Sequence, residues 1–486
     1  MKQDLLIFLS LACVLLLPEA VFSQERYHVG VCDWMILKRQ KLGEFQLARD
    51  ICADGVELDM GGLGTRVLFD NKLRDPEEAA HFKHVADSLG VEVGAVAMSG
   101  FYAQDLTKRD NYMELVADCF DTMDRMGCTG AVAFLPLGGC GNDWAADKAK
   151  RREIVSRLHN IGEAAKARGK RVGIDTPLDA KGNLRLLKEI KSQGIGIFYK
   201  WQTIAENGWD IVKDMKTLGA KNICAIHASN TDRVWLKNDS AINVPAIRQA
   251  LDQMDWQGWL FVERSRDTTM VRNVKMNYGA NVHYLKEVFG CPMPATATKL
   301  NSEGRDAKYV ETIIGRSQKV TDALGITYTQ EGREVQNIVC NRYFRLNDIY
   351  AERDSLKKTN KELAEATADS KLYRSHFGFL ADLSMYLKPE QIDKVKDVMT
   401  FNVVQVTYNA QCDMIPTLKD EEKQQIKAWL IEARELAIDA ESSKKKHEVF
   451  GKYKGRINNY LAARGYDLNK EREAWYERVK ARGGKL

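Results

Sequence analysis

Eight short apolar segments, each followed by an amphipathic stretch, recur along the first 290 residues and constrain the fold more than any other feature. In the last of them, residues 258–266 read Gly-Trp-Leu-Phe-Val-Glu-Arg-Ser-Arg, so that apolar residues end abruptly at a carboxylate. Such runs are typical of strands buried on both faces of a parallel sheet. The predicted strands are residues 27–33, 55–59, 91–98, 130–135, 171–175, 195–200, 222–227 and 259–263.

Eight strand–helix units in about 265 residues match the size of a single (β/α)8 barrel, the TIM barrel fold. The competing α/β fold is an open, doubly wound sheet, which carries a glycine-rich phosphate-binding motif after its first strand. Residues 31–35, Val-Cys-Asp-Trp-Met, contain no such motif, and the glycines of residues 60–64 follow the second strand in a different pattern. We therefore predict a barrel over residues 24–290, without a nucleotide cofactor.

A change in composition after residue 290 predicts a second domain. Residues 291–303 contain two prolines and several small residues, which is typical of a linker. Residues 304–486 no longer alternate and are predicted to form a mostly α-helical domain. The second half of its longest segment is strongly charged. This is explained by a protruding or paired helix, or else by an ordinary solvated helix face. The predicted helices are residues 307–324, 333–364, 389–406, 419–439, 443–463 and 470–481.

Length and composition place the chain among globular proteins of more than one domain. Its 486 residues exceed one ordinary domain, and 44% hydrophobic with 29% charged residues is typical of a soluble protein. The net charge of +5 is small for this length, so we expect no nucleic-acid partner. The sequence leaves the oligomeric state open.

The N-terminus predicts export. Lys2 precedes an apolar run from Leu5 to Leu17, and small residues then suit cleavage before Gln24, so residues 1–23 are predicted to be a signal peptide. The run is too short for a membrane span, and we prefer a cleaved signal to a lipid anchor or an uncleaved helix. The mature protein would then be periplasmic or secreted. Its nine cysteines show no CxxC pair, which favours buried free thiols over disulfides or a zinc site.

Four ionisable residues stand at the ends of the last four predicted strands: Asp175, Lys200, His227 and Glu263. Because parallel strands of a barrel all end at the same mouth, we expect these side chains to converge there and to be catalytic. Two carboxylates at one point could hold a divalent cation, or could remove and return a proton next to a carbonyl. Singly, an Asp at a strand end is better explained by a helix cap or a loop hydrogen bond, and His227 by a histidine of the core.

At these residues the sequence resembles the sugar phosphate isomerase/epimerase family, whose members have a xylose isomerase-like barrel. The resemblance covers about residues 27–290 and rests on residues 29–34, 54–59, 223–227, 258–266 and 277–281. In that family, a metal is commonly bound by Glu, Asp, His and Glu after strands five to eight. By position these ligands correspond to Asp175, Lys200, His227 and Glu263.

The lysine at the sixth strand departs from the family pattern. A protonated Lys200 cannot ligate a cation, so Asp175, His227 and Glu263 would form a reduced site for Mn, Mg, Co or Zn. Alternatively, its ammonium replaces the metal and stabilises a substrate oxygen. In a third interpretation, Lys200 is a structural ion-pair partner in an inactive site.

A set of polar and aromatic residues near the strand ends could line a pocket for a sugar, through stacking on its ring and hydrogen bonds to its hydroxyls. Ordinary packing or a surface position explains each one equally well. The predicted substrate-binding residues are Trp34, Glu57, Trp201, Gln202, Trp235, Arg264 and Arg266.

The resemblance implies an exported enzyme that transfers a proton next to the carbonyl of a sugar or keto-sugar, as an isomerase or epimerase. A hydro-lyase acting on keto-sugars would use the same two carboxylates. From another class, a sugar-binding or scaffold protein could keep the barrel with a degenerate metal site. The helical part resembles an uncharacterised domain family of exported bacterial proteins through residues 405–410, 414–418, 450–461 and 465–467, which implies no activity.

Overall fold

The computed structural model describes residues 26–141 and 143–483. The predicted signal peptide therefore lies outside the described residues. Among the helices that the structure describes, none is long and apolar enough to cross a membrane. The nine cysteines of the described ranges are all free thiols, five of them buried and four half-buried.

Eight parallel strands close into a barrel in sequence order, with β1 paired to both β2 and β8, which confirms the predicted fold class. Three observed strands have the predicted bounds, and the others differ by one to three residues at their ends. The strands are β1 Tyr27–Cys32, β2 Gly55–Asp59, β3 Glu92–Ala97, β4 Val132–Pro136, β5 Arg171–Asp175, β6 Ile195–Lys200, β7 Ile223–Asn230 and β8 Gly258–Arg264.

Helices follow the strands, and acidic or amide side chains cap many of their first turns. Asp147, for example, accepts hydrogen bonds from the backbone N–H groups of Ala149 and Lys150 at the start of α4. The helices of this part are α1 Gly43–Asp50, α2 Pro76–Leu89, α3 Tyr112–Met126, α4 Lys148–Ala167, α5 Ala180–Ile190, α6 Trp201–Glu206, α7 Ile211–Leu218, α8 Val244–Gln253 and α9 Val274–Phe289.

Aromatic side chains fill the barrel interior below the strand ends. Trp259 and Phe261 of β8 stack with ring centroids 5.4 Å apart. Glycines on other strands make room for them, since a Cβ atom at Gly94 of β3 would lie 2.4 Å from the Trp259 ring. The polar residues at the mouth therefore stand on a closely packed apolar base.

The remaining chain is helical. α11 and α12 pack along each other, as do α15 and α16. Two apolar clusters of buried residues, one centred on Val335 and Leu383 and the other on Leu430 and Ile457, hold these helices together. The helices are α10 Ala307–Leu324, α11 Gln330–Leu356, α12 Lys361–Ser384, α13 Pro389–Met399, α14 Val403–Met414, α15 Asp420–Ala437, α16 Ser443–Ala463 and α17 Leu468–Ala481.

Two predicted helices were wrong in their extent. The segment 333–364 is interrupted where Asn360 caps a new helix through its side chain, and that helix continues to Ser384. The segment 389–406 is interrupted because Phe401 and Asn402 adopt left-handed backbone conformations, with φ of 61° and 56°. Asn tolerates this conformation and often ends a helix. The prediction of one continuous helix rested on the composition of the whole segment and overlooked this stop.

The described chain divides into two compact units. The barrel unit comprises residues 26–48, 53–268 and 284–292, and the helical unit comprises residues 49–52, 269–283 and 293–483. The division falls inside the predicted linker 291–303, whose role as a linker stays a prediction.

Candidate functional site

Three strands bring a cation, a carboxylate and an imidazole together at the barrel mouth. The Lys200 ammonium lies 2.7 Å from Glu263 Oε2, and His227 Nδ1 lies 3.8 Å from the same oxygen. The strand register explains this, because Lys200 stands opposite His227 in the β6–β7 pairing and Glu263 opposite Ser229 in the β7–β8 pairing. The site is shielded from water, since the Lys200 and Glu263 side chains are only 10% and 2% exposed.

The ion pair keeps both of its members charged. Burial alone would lower the pKa of Lys200, but the charges of Glu263 and Asp175 outweigh it and raise that pKa above its ordinary value. Burial alone would raise the pKa of Glu263, but Lys200 and His227 lower it below the usual carboxyl range. Glu263 is thus a carboxylate, and Lys200 an ammonium, throughout the neutral pH range.

Asp175 behaves differently from Glu263. Burial raises the pKa of Asp175, and the opposing charge of Lys200 does not cancel that effect. Neighbouring carboxyl groups whose pKa values are displaced in opposite directions are a common arrangement for a catalytic acid and base. The mouth therefore contains an ionised carboxylate in Glu263 and a carboxyl group in Asp175 that takes up a proton more readily.

Tyr102, which the sequence analysis did not single out, completes this group. Its hydroxyl lies 3.2 Å from Glu263 Oε1 and donates to it, while the Lys200 ammonium donates to the hydroxyl at 3.3 Å. Burial and the charge of Glu263 raise the pKa of Tyr102 well above its ordinary value, so it remains a neutral hydrogen-bond donor. Tyr102 lies in a short helical turn after β3, where no strand-end pattern marks it.

A second polar array lies on the opposite side of His227. Its Nε2 atom lies 2.7 Å from Glu57 Oε2, and both side chains are fully buried. Cys32 donates its thiol hydrogen to the same carboxylate oxygen at 3.2 Å. Burial would lower the pKa of His227, but Glu57 and Glu263 outweigh it and raise the pKa, which favours the imidazolium. Sequence analysis predicted Glu57 as a substrate ligand but missed Cys32.

The predicted metal ligands do not fit a hard divalent cation as they are arranged. The ammonium of Lys200 contacts the Glu263 oxygen that a metal would need, and it already supplies the positive charge that Asp175 and Glu263 require. His227 and Glu263 are near each other, but the cation beside them is the lysine. The site therefore has a positive charge of its own.

A different group of potential ligands lies deeper, where Cys32 Sγ, a Glu57 oxygen and a His227 nitrogen all fall within 4.8 Å of one another. Sulfur and nitrogen donors suit an ion such as Zn rather than Mg or Mn. In this structure, however, the Glu57 oxygen accepts hydrogen bonds from both neighbours, so an ion would have to displace them.

The predicted sugar-binding aromatics are dispersed. The Trp34 ring meets His227 edge-on at 6.4 Å and is half-buried, so it borders the site. Trp201 is fully buried, and its indole N–H has no acceptor among the described residues. The Gln202 amide donates to Glu206 on its own helix, and Trp235 is half-buried in the loop after β7.

The chain turns sharply after Glu263. Arg264 and Ser265 both adopt left-handed backbone conformations, with φ of 55° and 59°, which is costly for residues with side chains and is typical of functional sites. The guanidinium of Arg266 is paired with Asp232, at 2.6 Å between Nη2 and Oδ2, and Arg264 lies 3.9 Å from the same oxygen. Asp232 thus compensates the positive charge of these two predicted substrate-binding arginines.

Three further carboxyl groups are buried beyond β1 and β2, which sequence analysis did not assign to the site. Burial and the charge of Asp59 raise the pKa of Asp33 to about 8, and burial raises that of Asp59 to about 6 in spite of the nearby Arg39. The pKa of Glu44 is also raised, by burial and by Asp33. Asp33 therefore holds a proton near neutral pH, whereas Asp59 is mostly ionised there and pairs with Arg39, at 3.1 Å between Nε and Oδ1.

Comparisons with known proteins agree with this architecture. Residues 45–288 match the family described as xylose isomerase-like TIM barrel, and residues 310–481 match a protein family of unknown function, DUF3826. A curated relative, 2-epi-5-epi-valiolone 7-phosphate 2-epimerase from Actinoplanes sp., is 29% identical over 154 residues, which is 29% of this chain. The chain spans 55% of the length of that relative.

Two solved structures are similar to about half of this chain. An L-ribulose 3-epimerase is 16% identical, with a TM-score of 0.44, over 54% of this chain and 95% of its own. D-psicose 3-epimerase from Clostridium cellulolyticum H10, solved with D-tagatose, is 11% identical, with a TM-score of 0.42, over 54% of this chain and all of its own. With a match over half of its length, the chain belongs to the xylose isomerase-like TIM barrel family.

Proposed function

We propose that the barrel is an enzyme that transfers a proton at the carbon next to the carbonyl of a sugar or keto-sugar, as an isomerase or epimerase. The observation that carries this proposal is the buried ion pair of Glu263 and Lys200, 2.7 Å apart, with the Tyr102 hydroxyl in contact with both. Family membership and the epimerase names of several relatives support the substrate class.

In this proposal Glu263 is the base. It removes the proton from the carbon next to the carbonyl, and the electrons of that C–H bond move onto the carbonyl oxygen to form an enolate. The Lys200 ammonium and the Tyr102 hydroxyl stabilise the negative oxygen, because fixed donors in a buried site act strongly on a charge that develops during reaction. Asp175, with its raised pKa, returns a proton on the other face or at the neighbouring carbon.

The metal that the family resemblance implies has no step in this scheme. A divalent ion would hold and polarise the substrate oxygens, and here the ammonium of Lys200 performs the electrostatic part of that work. The proposal therefore makes catalysis independent of an added divalent ion.

Exchange with heavy water tests the reaction. The purified full-length protein is incubated in D2O with a panel of aldoses, keto-sugars and keto-glycosides, and substrate and product are analysed by NMR. The proposal predicts deuterium at the carbon next to the carbonyl of at least one sugar, together with an isomer or epimer. Loss of water from a keto-sugar would instead identify a hydro-lyase, and neither exchange nor product with any sugar would favour a binding protein.

We also propose that the protein is exported. The apolar run from Leu5 to Leu17 and the small residues before Gln24 support this proposal. N-terminal sequencing of protein expressed in a bacterial host and recovered from the periplasm should begin at Gln24. Recovery from the cytoplasm with the first 23 residues attached would contradict it.

A further inference from the structure

The helical unit contains an open groove between α11, α12 and the segment that precedes α10. Its cavity volume is about 540 Å³, within the range of small-molecule sites. Four of its lining side chains are cationic and one is acidic. These charged residues are Arg342, Arg345, Lys371, Arg374 and Asp382.

Arg342 forms the base of this groove and is built into the fold. Its side chain is 2% exposed, and its guanidinium donates to the hydroxyl of Ser375 and to the carboxylate of Asp439. The same carboxylate is bonded to His376, at 2.9 Å between Oδ2 and Nδ1. The Nε–H of Arg342 is buried, and no described atom accepts a hydrogen bond from it. Arg342 thus places a fixed, buried positive charge at the groove.

The two outer arginines are uncompensated. Arg345 and Arg374 are exposed, and neither forms an ion pair with any residue in the described ranges. Lys371, by contrast, is neutralised by Glu352 at 2.5 Å. Both guanidinium groups line the same groove, and two positive charges without ion-pair partners there do not stabilise the fold. An anion bound in the groove would compensate them.

Polar groups around the groove are held in place. The Asn341 side chain accepts from the backbone N–H of Asn301 and donates to the carbonyl of Lys299, both at 2.8 Å, which fixes the segment opposite α12. Exposed rings of Tyr373 and Phe377, 5.0 Å apart, occupy α12 positions directly before Arg374 and Gly378. The groove therefore combines fixed walls, unpaired cations and nearby apolar surface.

We propose that this groove binds an oxyanion group, the carboxylate of an acidic saccharide or a free sulfate or phosphate ion, between Arg345 and Arg374 and above Arg342. Guanidinium groups bind carboxylate, sulfate and phosphate in the same paired geometry, which is why these sources share one chemistry. The groove belongs to the helical unit, and the proposal does not depend on the reaction proposed for the barrel.

Calorimetric titration of the full-length protein with three probes tests the proposal: sodium sulfate, sodium phosphate and trigalacturonate, with neutral maltotriose as reference. We expect at least one anion to bind, and binding to weaken as ionic strength rises. Tighter binding of trigalacturonate than of the inorganic ions would identify a saccharide carboxylate as the ligand. Equal or tighter binding of sulfate or phosphate would identify a free ion.

A double variant, Arg345→Gln with Arg374→Gln, locates the site. Both side chains are exposed, so the variant should unfold at the same temperature as the wild type, and it should bind the anion at least roughly tenfold more weakly. Arg472→Gln on α17, another exposed arginine without a described ion pair, is the matched control and should bind like the wild type. The proposal is overturned if no anion binds the wild type, or if the double variant binds as tightly as the control.

Discussion

The two units each bury a lysine, and they treat its charge in opposite ways. At the barrel mouth, Lys200 contacts Glu263, and the neighbouring carboxyl groups raise its pKa above the ordinary value. In the helical unit, Lys446 is 6% exposed and donates to the carbonyl of Met399 at 2.9 Å, and burial lowers its pKa to about 8. One lysine is thus a permanent cation, and the other loses its proton within reach of physiological pH.

The difference follows from where the two chain segments place carboxylates. Strand ends of a parallel barrel converge, so that Lys200 meets acidic groups from β5 and β8 at one point. Lys446 lies inside a helix bundle, beside the Tyr343 ring at 5.6 Å, where burial and the positive charges of Arg316 and Arg342 outweigh the opposing effect of Asp439 on its pKa. A buried cation with a carboxylate partner can stabilise negative charge that develops during a reaction, whereas a buried cation without an ion-pair partner lowers the stability of the fold.

The largest effect is expected from Lys200→Met, which removes the ion-paired lysine of the barrel unit. Glu263 and Asp175 would lose the ammonium that compensates them, so we expect a loss of stability of about 3–5 kcal/mol and a loss of turnover of about 10³-fold. Thermal unfolding and turnover of the sugar found in the D2O panel are the measurements. Lys188→Met, an exposed lysine on α5, is the control and should leave both unchanged. Wild-type turnover in Lys200→Met would place the reaction elsewhere.

Glu263→Gln should have a smaller effect on folding than on catalysis. The amide keeps the shape of the side chain and its contacts with Tyr102 and Lys200, but it cannot accept the substrate proton. We expect turnover to fall by roughly 10²-fold or more, and the melting temperature to change little. Deuterium exchange by NMR measures the proton-transfer step itself. Exchange at the wild-type rate in this variant would exclude Glu263 as the base.

Tyr102→Phe tests the residue that sequence analysis missed. Its hydroxyl donates to Glu263 and accepts from Lys200, so its removal should reduce turnover by roughly tenfold while the ion pair keeps the fold intact. Separate measurement of kcat and KM distinguishes the possible roles. A change confined to KM would assign Tyr102 to substrate binding rather than to stabilisation of the enolate oxygen.

Lys446→Met removes the buried lysine of the helical unit and tests its lowered pKa. The pKa of Lys446 is about 8 when folded and near 10.5 when unfolded, so between these values the unfolded chain binds more protons and stability rises with pH. Below pH 8 the buried ammonium costs stability, which the variant avoids. The stability gained by Lys446→Met should therefore shrink by roughly 1 kcal/mol or more between pH 7 and pH 10. Unfolding curves that differ by a constant amount at all pH values would contradict the lowered pKa.

The barrel could be predicted because its strands are short, apolar and regularly spaced, and because their ends share one edge. That argument proposed Asp175, Lys200, His227 and Glu263, and the structure brings Lys200, His227 and Glu263 into proximity. It could not propose Tyr102, which reaches the mouth from a short turn after β3. Its contact with Glu263 spans 161 positions and leaves no local pattern.

The helical unit could be predicted only in outline. Helical periodicity identifies which face of a helix is apolar, but not which helices pack together. Lys446, in a lysine-rich stretch of α16, is buried, while the exposed groove arginines lie on α11 and α12. Arg345 and Arg374 line one groove only because α11 and α12 pack along each other after a break at Asn360 that composition did not mark.

Metal content tests the central claim that the Lys200 ammonium takes the place of a divalent cation. The protein is dialysed and its Mn, Mg, Co and Zn are measured by mass spectrometry, beside the variants Lys200→Asp and Cys32→Ser. We predict less than one equivalent in the wild type and in Cys32→Ser, and increased retention in Lys200→Asp, where a carboxylate replaces the ammonium. A full equivalent that survives dialysis of the wild type would contradict the account, and its loss in Cys32→Ser would place the ion at Cys32, Glu57 and His227.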